Sequence, residues 1–366
     1  MVRKIFVAAT GQNCGKTTTS ISLLQLALKK YPRVGFIKPL GPKATVFEGL
    51  AVDKDAALMA QVFGLRKQLP HMSPVVLQPD TTRRMIDGEI DPRDLERKIL
   101  AAFAQLEEQC DFIIIEGAGH TGVGSVLELS NARIARLLDA PVLMVTGGGV
   151  GNVIDAVHLN LALFREQGVR VRGLVANKLV PEKREITLDY LRRAFARQSL
   201  QVLGGFNFQP VLANPTLRRI ARLLNAPLEG DQSEAGRIIH HVQIGAASTQ
   251  RVTELLQDSS LLLVTSTRDE LLVTLANLYQ MEEYRPKLVG LVIPGIIPVS
   301  KITQKILDRS HIPYLRTTRH TTSGLHNLIT EDVSKITAED TEKLALLREL
   351  APMRFDFDAV DALCAP

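Results

Sequence analysis

The segment Ala9-Thr10-Gly11-Gln12-Asn13-Cys14-Gly15-Lys16-Thr17 has the residue types and spacing needed to hold a phosphate. A glycine-bearing loop between a strand and a helix turns backbone N–H groups inward, and the following helix adds the positive end of its dipole. Lys16 would neutralise β- and γ-phosphate charge, and the Thr17 hydroxyl would reach a Mg2+ ion. The expected nucleotide contacts are Gly11, Gln12, Asn13, Cys14, Gly15, Lys16, Thr17 and Thr18. The pattern departs from G-x-x-x-x-G-K-[ST] at one point. Thr10 stands where the first Gly belongs, and Gly11, one residue later, can relieve the backbone. Cys14 occupies a variable loop position, where a small filler and a redox-sensitive thiol are both open readings.

Three further groups carry chemistry. Glu116-Gly117-Ala118-Gly119 follows an apolar strand, and a carboxylate at such a strand end is placed to bind a metal. Its plainer reading is a strand-end turn. Lys38-Pro39 ends the second strand, where a lysine can grip a carboxylate or phosphate. Asp53 and Asp55 stand ahead of a helix, where they could complete a metal shell or simply cap the helix. Asn177, in Val175-Ala176-Asn177-Lys178, could read an adenine edge, since an amide donates and accepts together, or could be a turn residue.

These residues need strand ends to position them, and the sequence supplies them. Strands are expected at residues 4–9, 33–38, 112–116, 141–146, 170–177 and 201–206. Helices are expected at 17–30, 53–63, 92–108, 130–138, 153–167, 182–197 and 215–224. Strands alternating with helices of this length predict βαβ units and an α/β fold of P-loop type with a mainly parallel sheet. The near-continuous apolar run Phe112-Ile113-Ile114-Ile115 fits a sheet covered on both faces.

Residues 225–237 lack apolar periodicity, so the domain boundary is expected there: an ATP-binding domain over 1–224 and a smaller α/β domain with a helical tail over 225–366. The second domain is expected to have strands at 261–265, 288–293 and 313–316, helices at 249–256, 268–281 and 301–309, and a tail helix at 338–350. Its run Leu288–Pro298 is apolar beyond the length of an ordinary strand, and Ile296-Ile297 should be either a buried loop or a contact patch.

Composition narrows the classes. Forty-five per cent hydrophobic and 23% charged residues are ordinary for a globular chain. The formal net charge of +5 is modest, and its basic residues scatter over helix faces rather than forming a nucleic-acid stripe. Cys14, Cys110 and Cys364 make no disulfide framework and no metal-ligand spacing. No apolar run reaches the roughly 18 residues of a membrane span. A cytoplasmic protein with no nucleic-acid or membrane partner is expected.

The order of Thr10–Thr17, Lys38-Pro39, Asp55, Glu116-Gly117-Ala118-Gly119 and Ala176-Asn177-Lys178 resembles the dethiobiotin synthetase family over about residues 2–224. That family has a P-loop α/β fold, uses ATP and Mg2+ to activate a carbamate, and has the cobyrinic acid diamide synthases among its relatives. The resemblance implies Lys16 and Lys38 as catalytic cations, Thr17, Asp55 and Glu116 as metal ligands, and Asn177 as an adenine contact. Two departures matter. Gln12 and Pro42 stand where the family's substrate site has hydroxyl residues, so diaminopelargonate is a doubtful substrate. No nucleophile elbow surrounds Cys364, so amidotransfer with a glutaminase of its own is not expected.

Residues 225–327 look like a DRTGG domain, with Val264-Thr265-Ser266-Thr267-Arg268-Asp269-Glu270 at the matching strand end. The two-part layout resembles the N-terminal regulatory portion of long bacterial phosphate acetyltransferases. Two functions are implied. One is an ATP-dependent ligase or synthetase acting on a small carboxylate or carbamate. The other is a nucleotide sensor that passes its state to a protein partner. A homodimer is expected in either case, because two-fold dimers dominate soluble oligomers and the DRTGG resemblance points the same way.

Overall fold

The computed structural model describes residues 2–332 and 334–365. The chain divides into two compact units, one formed by Met1–Phe208 with Leu344–Pro366, the other by Gln209–Lys343.

The first unit is built on six strands: β1 (Arg3–Ala9), β2 (Val34–Ile37), β3 (Phe112–Glu116), β4 (Val142–Gly147), β5 (Val171–Asn177) and β6 (Gln201–Val202). They form one parallel sheet in the order β6-β5-β4-β1-β3-β2. Its longer helices are α1 (Lys16–Lys30), α2 (Lys54–Phe63), α3 (Pro92–Gln109), α4 (Asn131–Leu137), α5 (Val150–Glu166) and α6 (Arg184–Phe195). Helix starts are chemically marked: Asp53 accepts from the Asp55 N–H at the head of α2, and Asp91 from Arg93 N–H at the head of α3, with Pro92 at its first position. Leu95, Ile99, Ala102, Phe103 and Leu106 then recur on one face of α3, and that face is buried against Ile113 and Ile115 of β3. Phe112, of opposite parity, points to the other face, where Tyr31 stacks on it at 5.3 Å.

Sheet order decides where a ligand can sit. From β1 the chain moves outward past β3 to β2, returns to β3, and then crosses to β4 on the other flank. In such sheets ligands bind beyond the carboxyl ends of the strands at this switch. The ends of β1, β3 and β4 lie there together: Val7 is in register with Glu116, and Ala9 with Val145.

The second unit has β7 (Leu228–Glu229), β8 (His241–Ile244), β9 (Ser260–Leu263), β10 (Leu288–Pro294) and β11 (Tyr314–Thr317), in the order β7-β11-β10-β9-β8. Only β7 runs antiparallel. Its longer helices are α7 (Leu217–Leu224), α8 (Thr249–Glu254), α9 (Asp269–Leu278), α10 (Lys301–Ser310) and α11 (Thr322–Glu331). Side chains of α8, α9 and α10 form one core cluster with the sheet, and those of α7 and α11 form a second. Two helices end the chain, α12 (Thr341–Arg354) and α13 (Phe357–Leu363).

The α/β reading holds, with three differences. The expected boundary at residue 225 is displaced, because Leu217, Ile220 and Leu224 of α7 are buried in the second unit's core. The tail does not belong to that unit either: Phe355 meets Phe206 edge-on at 5.0 Å, and Phe357 lies 5.6 Å from Phe112. The strand expected at 201–206 stops at Val202, because Gly204 and Gly205 have positive φ. A Cβ on Gly205 would lie 2.0 Å from the Ala176 carbonyl oxygen. Ile296 and Ile297 are exposed, at 87% and 62%, so the surplus apolar segment is not a buried loop.

Candidate nucleotide site

The phosphate loop runs from Thr10 to the first turn of α1. Asn13 (φ 56°) and Gly15 (φ 98°) are both left-handed with one residue between them, an alternation that makes a concave nest of N–H groups. Among the described residues the N–H groups of Gln12, Asn13, Cys14, Gly15 and Thr17 take no acceptor from the chain, and Thr19 N–H closes the first turn on Gly15 O at 2.9 Å. Helix α1 has no side-chain cap, so its positive end faces the nest. Thr10, in the first glycine's place, is fitted by partners. Its N–H donates to Val145 O at 3.0 Å, and its hydroxyl to Thr146 Oγ1 at 3.0 Å. Gly11 has ordinary room beside it, the nearest atom to a Cβ being Cys14 Sγ at 3.5 Å, whereas Gly15 has none: a Cβ there would meet Asn177 Nδ2 at 2.5 Å. Gln12 and Asn13 are exposed, and Cys14, Thr17 and Thr18 are half-buried.

Lys16 is buried, and its amine lies 2.5 Å from Gly119 O and 3.5 Å from Gly11 O. It therefore bridges the phosphate loop and the loop after β3. Glu116, the last residue of β3, is fully buried. Its Oε1 accepts from Thr17 Oγ1 at 3.2 Å and from Lys38 Nζ at 2.7 Å. Lys38 Nζ also donates to Asp55 Oδ2 at 2.8 Å and Gly117 O at 3.2 Å. Burial of Lys38 works against its charge, but the carboxylates of Glu116, Asp55 and Asp53 outweigh it, and its pKa is raised above the ordinary lysine value. Asp53 behaves oppositely. Burial and the Asp55 charge lift it above the usual carboxylate range, against the pull of Lys38 and of two backbone N–H groups. Cys110 and Cys364 cannot serve as thiolates, since burial pushes their thiols up to about 11 and about 12.

The expected metal ligands Thr17, Asp55 and Glu116 are gathered, but an ammonium stands between the two carboxylates. Among the described residues no group of three or more His, Cys, Asp or Glu could hold a metal. The fit of a cation rests instead on Glu116. Its second oxygen, Oε2, is buried and has no hydrogen-bond partner, next to the Thr17 hydroxyl. Two protein oxygens suit Mg2+, which keeps waters and takes phosphate oxygens for the rest.

Two residues given roles by the resemblance have partners within the chain. The Lys38 side chain is 3% exposed, and its amine is engaged by two carboxylates and a carbonyl. The Asn177 amide is engaged at both ends. Its Nδ2 donates to Cys14 O at 3.2 Å and Thr19 Oγ1 at 3.4 Å, and its Oδ1 accepts from Phe206 N–H at 3.0 Å. It pins the phosphate loop to the end of β5.

Two asparagines do similar work and were not anticipated. Asn131, at the start of α4, accepts from Ala118 N–H at 3.0 Å and donates to Ala118 O and His120 O, both at 2.6 Å. Asn160 of α5 accepts from Thr121 N–H and donates to Thr10 O, each at 3.2 Å, tying the two loops together. A signal existed for Asn160: it sits among Val153, Val157, Leu161 and Phe164 on the buried face of its helix. A polar residue on that face needs a polar partner.

Among the described residues no helix is long and apolar enough to cross a membrane. Comparison with known proteins agrees with the P-loop reading. The chain is 23% identical over 329 residues to a phosphate acetyltransferase of Synechocystis sp., covering 88% of this chain and 46% of that protein. A phosphate acetyltransferase of Nitratidesulfovibrio vulgaris is 22% identical over 355 residues, covering 94% and 49%. The chain thus spans about half the length of these relatives. An ATP-dependent dethiobiotin synthetase of Aromatoleum aromaticum is 27% identical over 231 residues, covering 62% of this chain and 98% of the relative. Among solved structures, the septum site-determining protein MinD of Pyrococcus horikoshii with Mg-ADP aligns with a TM-score of 0.36 at 16% identity, over 58% of this chain and 84% of that one. A likeness that remote in shape bears on no ligand or activity. The model of the AAA domain family matches residues 3–216, more than half of the chain and the whole of the loop-and-carboxylate site just described, so the chain belongs to the AAA domain family.

Proposed function

We propose that this protein binds Mg-ATP in the phosphate loop and acts as a nucleotide-responsive regulatory module. The observation that carries this reading is the state of Lys38. A ligase needs a cation facing its acid substrate, and the one available at the end of β2 is buried and matched by Glu116 and Asp55. The relatives that extend over nearly the whole chain support it too, since they are phosphate acetyltransferases of about twice its length.

Phosphate binding is assigned to the N–H nest of residues 12–17 and the dipole of α1. Lys16 would exchange Gly119 O for phosphate oxygens. That exchange couples nucleotide occupancy to the loop after β3, whose backbone Asn131 and Asn160 hold from the other side. Thr17 and Glu116 would hold Mg2+, which supplies neutralisation of phosphate charge when bound.

The unpartnered Glu116 Oε2 favours a second reading, an ATP-dependent ligase whose metal-bound form frees Lys38 for a carboxylate or carbamate. One experiment separates the two: ADP release by the full chain, alone and with small carboxylates, and with diaminopelargonate plus bicarbonate. The regulatory reading expects tight Mg-ATP binding with turnover that no acid stimulates. Stimulation by one acid of the panel would replace it with the ligase. Dethiobiotin formation in particular should not occur, because Gln12 and Pro42 lack the hydroxyl donors.

A further inference from the structure

The loop after β3 carries a histidine that phosphate binding, as assigned so far, does not use. His120 follows Gly119, whose carbonyl oxygen lies 2.5 Å from the Lys16 amine. A lysine at this position of a phosphate loop reaches the β- and γ-phosphates. The amine therefore marks the terminal-phosphate end of the site, one peptide unit from His120.

His120 is exposed, yet it is held in place. Its carbonyl oxygen accepts from Asn131 Nδ2 at 2.6 Å and from Val123 N–H at 3.0 Å. Its ring nitrogen Nδ1 accepts from Gly122 N–H at 3.2 Å. A ring nitrogen that accepts carries no hydrogen, so the neutral imidazole keeps its hydrogen on Nε2. That donor has no partner among the described residues.

The loop around it is short of acceptors. The N–H groups of Gly119 and His120 take none among the described residues. The Thr121 hydroxyl, 1% exposed, has no hydrogen-bond partner. Glu116, the nearest acid in sequence, is engaged by Lys38 and Thr17 instead. Three consecutive residues with unused donors, beside the Lys16 amine, suit an anion, which brings acceptor oxygens and few donors.

We propose that His120 distinguishes a nucleoside triphosphate from a diphosphate, its Nε2–H donating to an oxygen of the terminal phosphate. The inference rests on the phosphate-loop reading above and adds to it the group that discriminates. A diphosphate leaves the imidazole without a partner, so only the triphosphate gains this bond. Because the backbone is anchored and Nδ1 already fixes the ring, little side-chain freedom is lost on binding. The terminal phosphate is thereby registered at the loop that Asn131 of α4 and Asn160 of α5 hold.

Calorimetry on the full chain tests this with Mg-ADP and with the Mg complex of the non-hydrolysable β,γ-imido analogue of ATP. The wild type should bind the triphosphate more tightly, by about tenfold or more. In His120→Ala that preference should shrink by about tenfold, the scale of one hydrogen bond to a charged group, with Mg-ADP affinity unchanged. His120→Gln keeps an N–H donor at the end of its side chain and should restore part of the preference. Melting curves establish that both variants are folded. Lys16→Ala, run alongside, separates the two levels of the argument. If it binds both nucleotides like the wild type, the phosphate-loop reading fails and this inference with it. If it loses both nucleotides while His120→Ala keeps the wild-type preference, or weakens both nucleotides alike, His120 alone loses its role. A wild type without preference, or a glutamine variant no better than alanine, overturns the assignment as well.

Discussion

Lys16, Glu116 and Gly15 divide the work of the site, and each can be removed alone. Lys16→Ala deletes an amine that lies against the Gly119 and Gly11 carbonyls of two surface loops, and the fold should survive. Mg-ATP affinity should fall by roughly 1.5–3 kcal/mol, the scale of hydrogen bonds to charged groups. Calorimetry on the folded variant decides it, and unchanged affinity would remove the phosphate-loop assignment. Glu116→Gln acts on two things. It replaces one of the two carboxylates on a buried ammonium by a neutral amide, with Asp55 still paired, which should cost about 1–3 kcal/mol of stability in urea unfolding. It should also abolish the gain in nucleotide affinity that Mg2+ gives, since an amide is a poorer ligand for a hard cation. A variant as stable as the wild type would mean Lys38 is not held as described. For Gly15→Ala the new methyl group would fall 2.5 Å from Asn177 Nδ2 in a left-handed residue. The expected outcome is loss of nucleotide binding, because the asparagine that pins the loop must be displaced. At this scale the sequence was informative about which residues assemble and less so about what they do. Lys38 and Asn177 stood out by type and position, but their partners, Asp55 and Phe206, are set by the tertiary fold.

The C-terminal helices of the first unit illustrate how an element is secured. Helix α13 brings Asp361, whose Oδ1 accepts from Tyr31 Oη at 2.7 Å and Arg3 at 2.9 Å, while its Oδ2 lies 2.9 Å from Lys30 Nζ. Burial pushes Asp361 upward, but these donors and cations prevail and its pKa is lowered. A carboxylate depressed on folding stabilises the protein above its ordinary titration range, and that contribution is lost as pH falls through the folded-state value. Asp361→Asn should therefore lower stability near neutral pH by about 1 kcal/mol, given that an amide keeps part of the hydrogen bonding. In acid, below the ordinary carboxylate value of about 4, the gap between variant and wild type should close. Urea unfolding of both proteins across that range checks the sign, and a gap that widens in acid would contradict it. The element itself was only half legible. Leucines at helical spacing mark a tail helix, found at Thr341–Arg354, but the break at Phe355 and the return as α13 depend on packing far away in sequence.

At the level of the whole molecule, the two units are not consecutive halves. The chain leaves the first unit at Phe208 and rejoins it at Leu344. A fragment of residues 209–343 contains α7 and both core clusters of its sheet, and should unfold cooperatively on its own. A fragment of residues 225–366 lacks Leu217, Ile220 and Leu224 and carries tail side chains, Leu347, Phe355 and Val360 among them, that are buried in the intact chain. It should aggregate or melt without a transition. Circular dichroism and light scattering on the two fragments give the answer, and equal behaviour would argue against the division. We also propose that the full chain dimerises, with exposed Ile296, Ile297 and Ile302 as the apolar contact; light scattering should then show a dimer that Ile296→Asp disrupts.

What the sequence determined by itself was local. Strand, glycine turn and helix follow one another at Ala9–Thr17 because each depends on neighbours a few residues away. The periodicities of 2 and 3.6 likewise announce an α/β fold before any long-range contact forms. The apolar run ending at Glu116 and the caps Asp53 and Asp91 belong to the same class. The tertiary structure decided which charges meet. Lys38, Asp55 and Glu116 are 17 and 78 residues apart along the chain, and only the crossing from β2 back to β3 brings their charged groups within 3 Å. It also decided that the tail returns to the first unit, because burial of Phe355 and Val360 depends on surfaces far away in sequence. Pattern records that a face is apolar; it carries no record of which distant face will cover it.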